Sequence, residues 1–285
     1  MGPAISVLSR AELDAAQALV AEAGWNQVRA DWELFIELGA AFKVTARHGE
    51  LAATAATLPF ARFGWISMVL VGKRHRRQGL ATALLEHCVA RLQEQGLVPV
   101  LDATPAGRAV YRQLDFQDGW QITRWRRLER GAPWPGTGGH GATTVRALRD
   151  EDWPQLVALD EQAFGSARIA LLRRLESRSR GFACVAQRDG RVAGYLLGRD
   201  GRQAMQVGPI VAHDQGVAQG LLAHALERID GPVLLDVLDR HTDLPPRLTA
   251  AGFEVERSYT RMALDGDAAF GDADLMVAIA GPELG

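Results

Sequence analysis

Five successive residues, Lys73-Arg74-His75-Arg76-Arg77, carry or can carry positive charge, and they stand just ahead of Gly79 and the apolar-patterned stretch from Leu80 to Leu85. Such a run has three chemical readings: a contact for nucleic acid, the start of a helix that holds a phosphate, or a solvated loop. A helix start presents unpaired N–H groups and a partial positive charge of about half an electron, which suits a phosphate or pyrophosphate. Gly79 and Ala81 are small enough to let an anion approach the main chain, Arg76 and Arg77 could neutralise it, and the Thr82 hydroxyl could add a donor. Nucleic-acid binding calls for interleaved aromatic residues or a wider basic face, and neither is present. The balance of 32 Lys and Arg against 34 Asp and Glu, a net charge of -2, argues further against a chain built around a polyanion. Any anion site must be local.

The elements that would position this loop follow from apolar patterning. "WISMVLVG", Trp65 to Gly72, reads as a strand entering the loop, and Leu80, Leu84, Cys88 and Leu92 recur every four residues, giving a helix with one buried face. "LVPVLDA" after it reads as a buried strand, so the helix crosses between two parallel strands. The same order recurs later in the chain. "AFKVTARHGELAATA" from Ala41 matches "GFACVAQRDGRVAGY" from Gly181, each a hairpin turning at Gly49 or Gly190, and "QGLATALLEHCVARL" from Gln78 matches "QGVAQGLLAHALERI" from Gln215. Phe116 follows Gly79, and Phe253 follows Gly216, by the same 37 residues (116 minus 79, 253 minus 216), with Thr123-Arg124 and Thr260-Arg261 at one offset beyond. This is a duplication. Each copy reads as a mixed α/β layer fold that ends in a closing pair of strands.

The 285 residues suffice for two domains. Gly- and Pro-rich residues 131–142 divide the chain into a first domain, 1–130, and a second, 143–285. Gly136, Gly138 and Gly141 match G-x-G-x-x-G, but no strand precedes them and no helix follows, so a dinucleotide loop is not expected. No secretory segment and no run of about 18 apolar residues occurs, which predicts a cytoplasmic protein outside the membrane. Cys88 and Cys184 fall in buried patterns and the seven histidines show no ligand spacing, so neither disulfide nor metal is expected.

"VLVGKRHRRQGLATALL" resembles the acyl-CoA-binding motif of the GNAT superfamily of N-acyltransferases, whose core Q/R-x-x-G-x-G/A is met by Arg76, Gly79 and Ala81. "ATPAGRAVYRQLDF", Ala103 to Phe116, resembles that family's next helix and its Tyr…Leu-Gly-Phe ending, with Asp115 in place of the glycine. The likeness extends through both copies, as in a tandem GNAT protein. It implies acetyl-CoA as cosubstrate, held by Arg76, Arg77, Gln78, Gly79, Leu80, Ala81 and Thr82. It also implies that the backbone of Met68, Val69, Leu70 and Val71 polarises the acyl carbonyl and pairs with the pantetheine arm like an added strand. Tyr111 would be the general acid for the leaving thiolate, since this tyrosine lies beside the acyl sulfur in the family. Thr104 and Pro105 read as the N-cap and first position of its helix.

Acyl transfer to a primary amine also needs a deprotonated amine, which costs roughly 4 to 5 kcal/mol at pH 7 from a pKa of about 10.4. Asp102, at the end of a buried strand, could accept that proton or anchor the ammonium, although a buried aspartate can equally satisfy neighbouring donors. Asp31, Glu33 and Glu37 are further candidates by family analogy, and His75 is an anion neighbour. In the second copy His213 and Asp214 replace Arg76 and Arg77, and Leu248 replaces Tyr111. That copy is expected not to catalyse and to contribute stability, substrate-binding surface or an oligomer contact such as a homodimer. Its final segment, Leu275 to Gly285, should pack as a last strand. The resulting expectation is an acetyl-CoA-dependent N-acetyltransferase of a small-molecule or peptide amine. The alternative is a protein that binds CoA or acyl-CoA for regulation without transfer.

Overall fold

The strand, basic loop and helix form where the apolar pattern requires them. In the computed structural model, which describes residues 2–135, 143–179, 181–264 and 270–285, they belong to the first of two compact units. That unit runs to Leu101 and includes Gly201–Gln203 and Leu284, whereas the second comprises Asp102–Asp200, Ala204–Glu283 and Gly285. Of the Gly- and Pro-rich stretch, 136–142, with its literal G-x-G-x-x-G, lies outside the described residues. No described helix is long and apolar enough to cross a membrane.

In the first unit the order is β1 (Ile5–Val7), α1 (Leu13–Ala23), α2 (Arg29–Leu38), β2 (Ala40–Thr45), β3 (Leu51–Pro59), β4 (Phe63–Val71), α3 (Leu80–Gln93) and β5 (Val98–Ala103). The last two residues of β5 fall in the second unit. Strands β1 to β4 pair antiparallel in sequence order, and β5 joins β4 in parallel. A parallel neighbour needs a crossover, and α3 provides it. Its buried face is Leu80, Leu84, Leu85, Cys88 and Leu92, which includes every residue of the four-residue recurrence.

The second unit continues with α4 (Pro105–Arg112), β6 (Phe116–Arg127), β7 (Thr144–Ala147), α5 (Trp153–Phe164), α6 (Ile169–Glu176), β8 (Cys184–Arg188) and β9 (Arg191–Arg199). Then come β10 (Met205–Ala212), α7 (Gln215–Leu226), β11 (Val233–Leu238), α8 (Leu244–Ala250), β12 (Glu254–Leu264) and β13 (Met276–Ala278). Its sheet runs β12-β6-β11-β13-β10-β9-β8-β7. The core holds Val207, Ile210, Leu221, Leu222, Val237, Leu248 and Phe253.

The sequence predicts a closing pair of strands in each copy, and here the structure differs. After its last helix the first copy has one strand, β6, and the second has β12 and the short β13; β6 and β12 pair with each other antiparallel, Trp125 opposite Val255 and Phe116 opposite Leu264. On its other side β6 pairs antiparallel with β11 of the second copy. Each copy thus supplies half of the closing pair. The two arginines of the repeat follow this exchange. Arg124 on β6 pairs bidentately with Asp236 on β11 at 2.7 and 2.8 Å, and Arg261 on β12 pairs with Asp102 at 3.0 and 3.2 Å.

Candidate active site

The loop that the sequence marks as a candidate anion site joins the end of β4 to the start of α3. Main-chain bonds fix the loop's exit from the strand: the Gly72 N–H donates to the Ala52 carbonyl at 2.9 Å and the His75 N–H to Gly72 at 2.8 Å. The Lys73 N–H donates to the Glu22 carboxylate on α1 at 2.6 Å. Arg77 and Gly79 then take left-handed backbone, with φ of 59° and 74°. This reversal turns the chain into the helix.

The N-cap of α3 is Gly79, which has no side chain with which to cap. The first turn of a helix leaves N–H groups with no intrahelical partner, here those of Leu80, Ala81 and Thr82. By contrast α4 is capped by Thr104, whose hydroxyl accepts from the Gly107 N–H at 3.3 Å with Pro105 in its first turn, as the sequence predicts. Gly79, Ala81 and Thr82 are exposed, as are Arg76, Arg77 and Gln78, while Leu80 anchors the turn in the core. The Arg76 Nε donates to the Val71 carbonyl at 3.4 Å. Among the described residues neither Arg76 nor Arg77 is paired with a carboxylate. His75 lies 3.7 Å from the Glu50 carboxylate.

Strand β4 carries a bulge before it reaches the loop. Ala56 faces Ser67 and Thr54 faces Leu70, so Met68 and Val69 together stand opposite Ala55. Met68 adopts φ 53°, and its carbonyl accepts the Thr54 hydroxyl at 3.0 Å. On the other edge, the parallel register with β5 covers Phe63–Trp65 against Val98–Val100 and ends there. From Ile66 to Val71 the ladder between these strands is therefore open. A bulge beside a ladder's end frees main-chain donors for something other than the sheet.

Tyr111 lies on α4 in the second unit. It is half-buried, with its ring 6.0 Å from Phe116, and burial raises its phenol above the ordinary value near 10. Arg108 and Arg112 one turn apart both pair with Asp118 on β6, Arg108 through Nε at 2.9 Å. Asp115 takes φ 63°, the left-handed conformation expected at the glycine position of the family.

The Asp102 side chain is fully buried, and both its oxygens meet the Arg261 guanidinium, which also covers the Trp120 ring at 4.7 Å. Burial raises this carboxyl above the usual range, against the pull of Arg261. A carboxylate with no exposed side-chain surface and a bidentate arginine holds structure together, the alternative the sequence left open for it. The other carboxylates are committed as well. Asp31 accepts the Val28 N–H at 2.8 Å, Glu33 lies 3.3 Å from Arg29, and Glu37 pairs with Arg10 at 2.8 Å.

Two polar groups missed by the sequence reading lie in the first unit. Among the described residues the Ser67 hydroxyl, next to the bulge in a residue only 8% exposed, and the indole N–H of fully buried Trp32 have no hydrogen-bond partner. Buried polar atoms are nearly always satisfied. A serine in an otherwise apolar strand is the only trace of this in the sequence.

Family models separate what is general from what is particular here. Residues 12–116 match the model described as the acetyltransferase (GNAT) family, and residues 156–276 match a second, described as an acetyltransferase (GNAT) domain. The chain belongs to the GNAT acetyltransferases. It is 27% identical over 236 residues to the uncharacterized N-acetyltransferase YitH of Bacillus subtilis, covering 82% of each protein. The fold of this GNAT protein is also that of a putative acetyltransferase from Pyrococcus horikoshii, with TM-score 0.80, 18% identity and coverage of 100% of this chain and 96% of the other. A tandem GNAT protein from the clavulanic acid biosynthesis pathway gives TM-score 0.67 at 16% identity, covering 95% of this chain and all of the other. Among the described residues no group of His, Cys, Asp and Glu could hold a metal ion.

Proposed function

We propose that the protein is an N-acetyltransferase that moves an acetyl group from acetyl-CoA directly to a primary amine of a small molecule or peptide, with its active site in residues 1–130. Residues 131–142 are then the linker and 143–285 a second, non-catalytic GNAT-like domain. One observation carries the reading. The uncapped start of α3, with Arg76 and Arg77 paired with no carboxylate among the described residues, follows on the bulged end of β4, whose ladder with β5 stops at Trp65.

Each part has a task. The N–H groups of Leu80, Ala81 and Thr82, with Arg76, Arg77 and Gln78, hold the pyrophosphate, and Gly79 keeps the approach clear. The backbone from Met68 to Val71 pairs with the pantetheine arm and polarises the thioester carbonyl. The amine attacks that carbonyl, the C–N bond forms and the C–S bond breaks. Tyr111 protonates the departing thiolate, a role assigned from the likeness of Ala103–Phe116 to the family's helix. Its raised pKa keeps the phenol protonated through neutral pH, as an acid requires.

Asp102 is buried against Arg261, and Glu33 and Glu37 are engaged in ion pairs with Arg29 and Arg10. The Ser67 hydroxyl is proposed as the polar handle for the amine or for a water that takes its proton. A screen of pooled primary amines for release of CoA thiol tests the whole reading. Release that is lost on Tyr111→Phe supports it. CoA binding without release from any amine would favour the regulatory alternative.

A further inference from the structure

The second repeat has its own strand, loop and helix of the same kind, and two features there concern what fills them. The first is the slot beside the strand. β10 and β11 run parallel from Met205–Val207 and Val233–Leu235 and then part, as β4 and β5 do. Strand β13 enters the gap. It pairs antiparallel with β10, Ile210 opposite Ala278 and Val211 opposite Met276, and with β11, Val237 opposite Ala278. The Ile279 N–H donates to the Asp236 carbonyl and the Ala212 N–H to the Leu275 carbonyl, each at 3.0 Å. Gly208, at φ 142°, passes so close that a Cβ there would lie 2.0 Å from the Ile279 carbonyl oxygen.

The segment that follows is tied down by buried charge. Arg199 donates to the Ala280 carbonyl at 2.6 Å and pairs with Glu283. Arg168, held bidentately by Asp160, donates to the Gly285 main-chain oxygen at 2.7 Å. Ala278, Ile279 and Ala280 have no exposed surface.

The second feature is the start of α7. Asp214 is its N-cap: the carboxylate accepts the Val217 N–H at 3.0 Å and pairs with Arg188 on the preceding hairpin at 2.8 Å. A carboxylate thus occupies the helix start, and an arginine neutralises it. In the first repeat Gly79 leaves the same groups open.

We propose that the second repeat's acyl-CoA site is filled by the chain itself, with residues 275–280 in the slot of a pantetheine arm and Asp214 in the place of a pyrophosphate. The chain then takes up one acyl-CoA, at the first repeat, a count that rests on the reading of that repeat given above. The substitution is chemically apt, because a pantetheine arm binds by main-chain hydrogen bonds along a strand edge and an added β-strand binds the same way. Being part of the chain, the strand competes at a fixed high effective concentration. The second repeat thereby becomes a scaffold.

Two readouts on the full-length protein test this. Hydrogen exchange of the ligand-free chain should place the amides of Ala278 and Ile279 in its slowest class, unchanged by saturating CoA. Calorimetric titration with CoA should give one equivalent per chain, lost in the Arg76→Glu/Arg77→Glu variant and kept in Asp214→Ala. Fast exchange at Ile279, a CoA-dependent change there, or a second equivalent of CoA would overturn the proposal. No CoA binding at all, with Ala278 and Ile279 still protected, would contradict the reading of the first repeat while supporting the self-filled second one.

Discussion

Arg261, in the second copy of the repeat, grips Asp102, in the first, through two hydrogen bonds of 3.0 and 3.2 Å, with both side chains buried. Arg124 and Asp236 repeat the pairing in the opposite sense. Removing one partner of such a pair strands a buried charge, which typically costs about 3 to 5 kcal/mol. Arg261→Ala and Asp102→Ala should each lower the unfolding free energy by that amount in urea titrations. The double variant should lose much less than the two losses combined. A catalytic Asp102 would instead give a turnover defect that Arg261→Ala does not share.

Gly79 has φ 74°, and a Cβ there would meet nothing within 4 Å. Gly79→Val therefore carries a conformational cost of about 1 to 2 kcal/mol without a clash, and its main effect falls on the anion. The KM for acetyl-CoA should rise tenfold or more, with kcat changed far less. Steady-state kinetics at saturating amine would show the split.

Tyr111→Phe keeps the ring beside Phe116 and removes the proton. The variant should fold normally and lose about 10²- to 10⁴-fold in kcat, the usual contribution of a general acid, with little change in KM. Because burial raises the phenol above its ordinary value near 10, the wild-type rate should not fall from loss of this proton until pH exceeds 10. Deprotonation also opposes folding. This tyrosine's contribution to stability is complete below pH 10 and is lost as pH rises through the raised value.

Asp118 ties α4 to β6. Its hydrogen bonds to Arg108 and then Arg112 lower its pKa to about 2. A lowered carboxyl pKa means stability that is present above the unfolded value near 4 and lost as pH falls toward 2. The wild-type Tm should drop over that interval. In Asp118→Asn the drop should be smaller and the Tm at neutral pH lower.

Gly208 tests the strand in the second slot. Its φ of 142° is nearly closed to other residues, and a side chain would strike the Ile279 carbonyl. Gly208→Ala should destabilise the protein by at least about 2 kcal/mol and speed amide exchange at Ala278 and Ile279.

What could be read from the sequence was local. The period of Leu80, Leu84, Cys88 and Leu92 set α3, Thr104-Pro105 set the start of α4, and Asp115 took the left-handed turn expected of it. Each depends on neighbours within about one helical turn. Asp102 and Arg261 stand 159 residues apart, and their pairing follows from a strand exchange that no short window encodes. In the sequence Asp214 stands only as a replacement for Arg77; that its carboxylate caps α7 through the Val217 N–H is visible only in the structure. Residues 275–285 read as a strand, but the apolar pattern does not say between which two strands it lies.

The most direct test of the account is CoA thiol release from acetyl-CoA with the pooled primary amines, comparing the wild type with Arg76→Glu/Arg77→Glu and with Asp214→Ala. Release should be abolished in the first variant and remain near wild type in the second. Release that survives the loss of both arginines, or that fails only when Asp214 is changed, would contradict an active site in the first repeat.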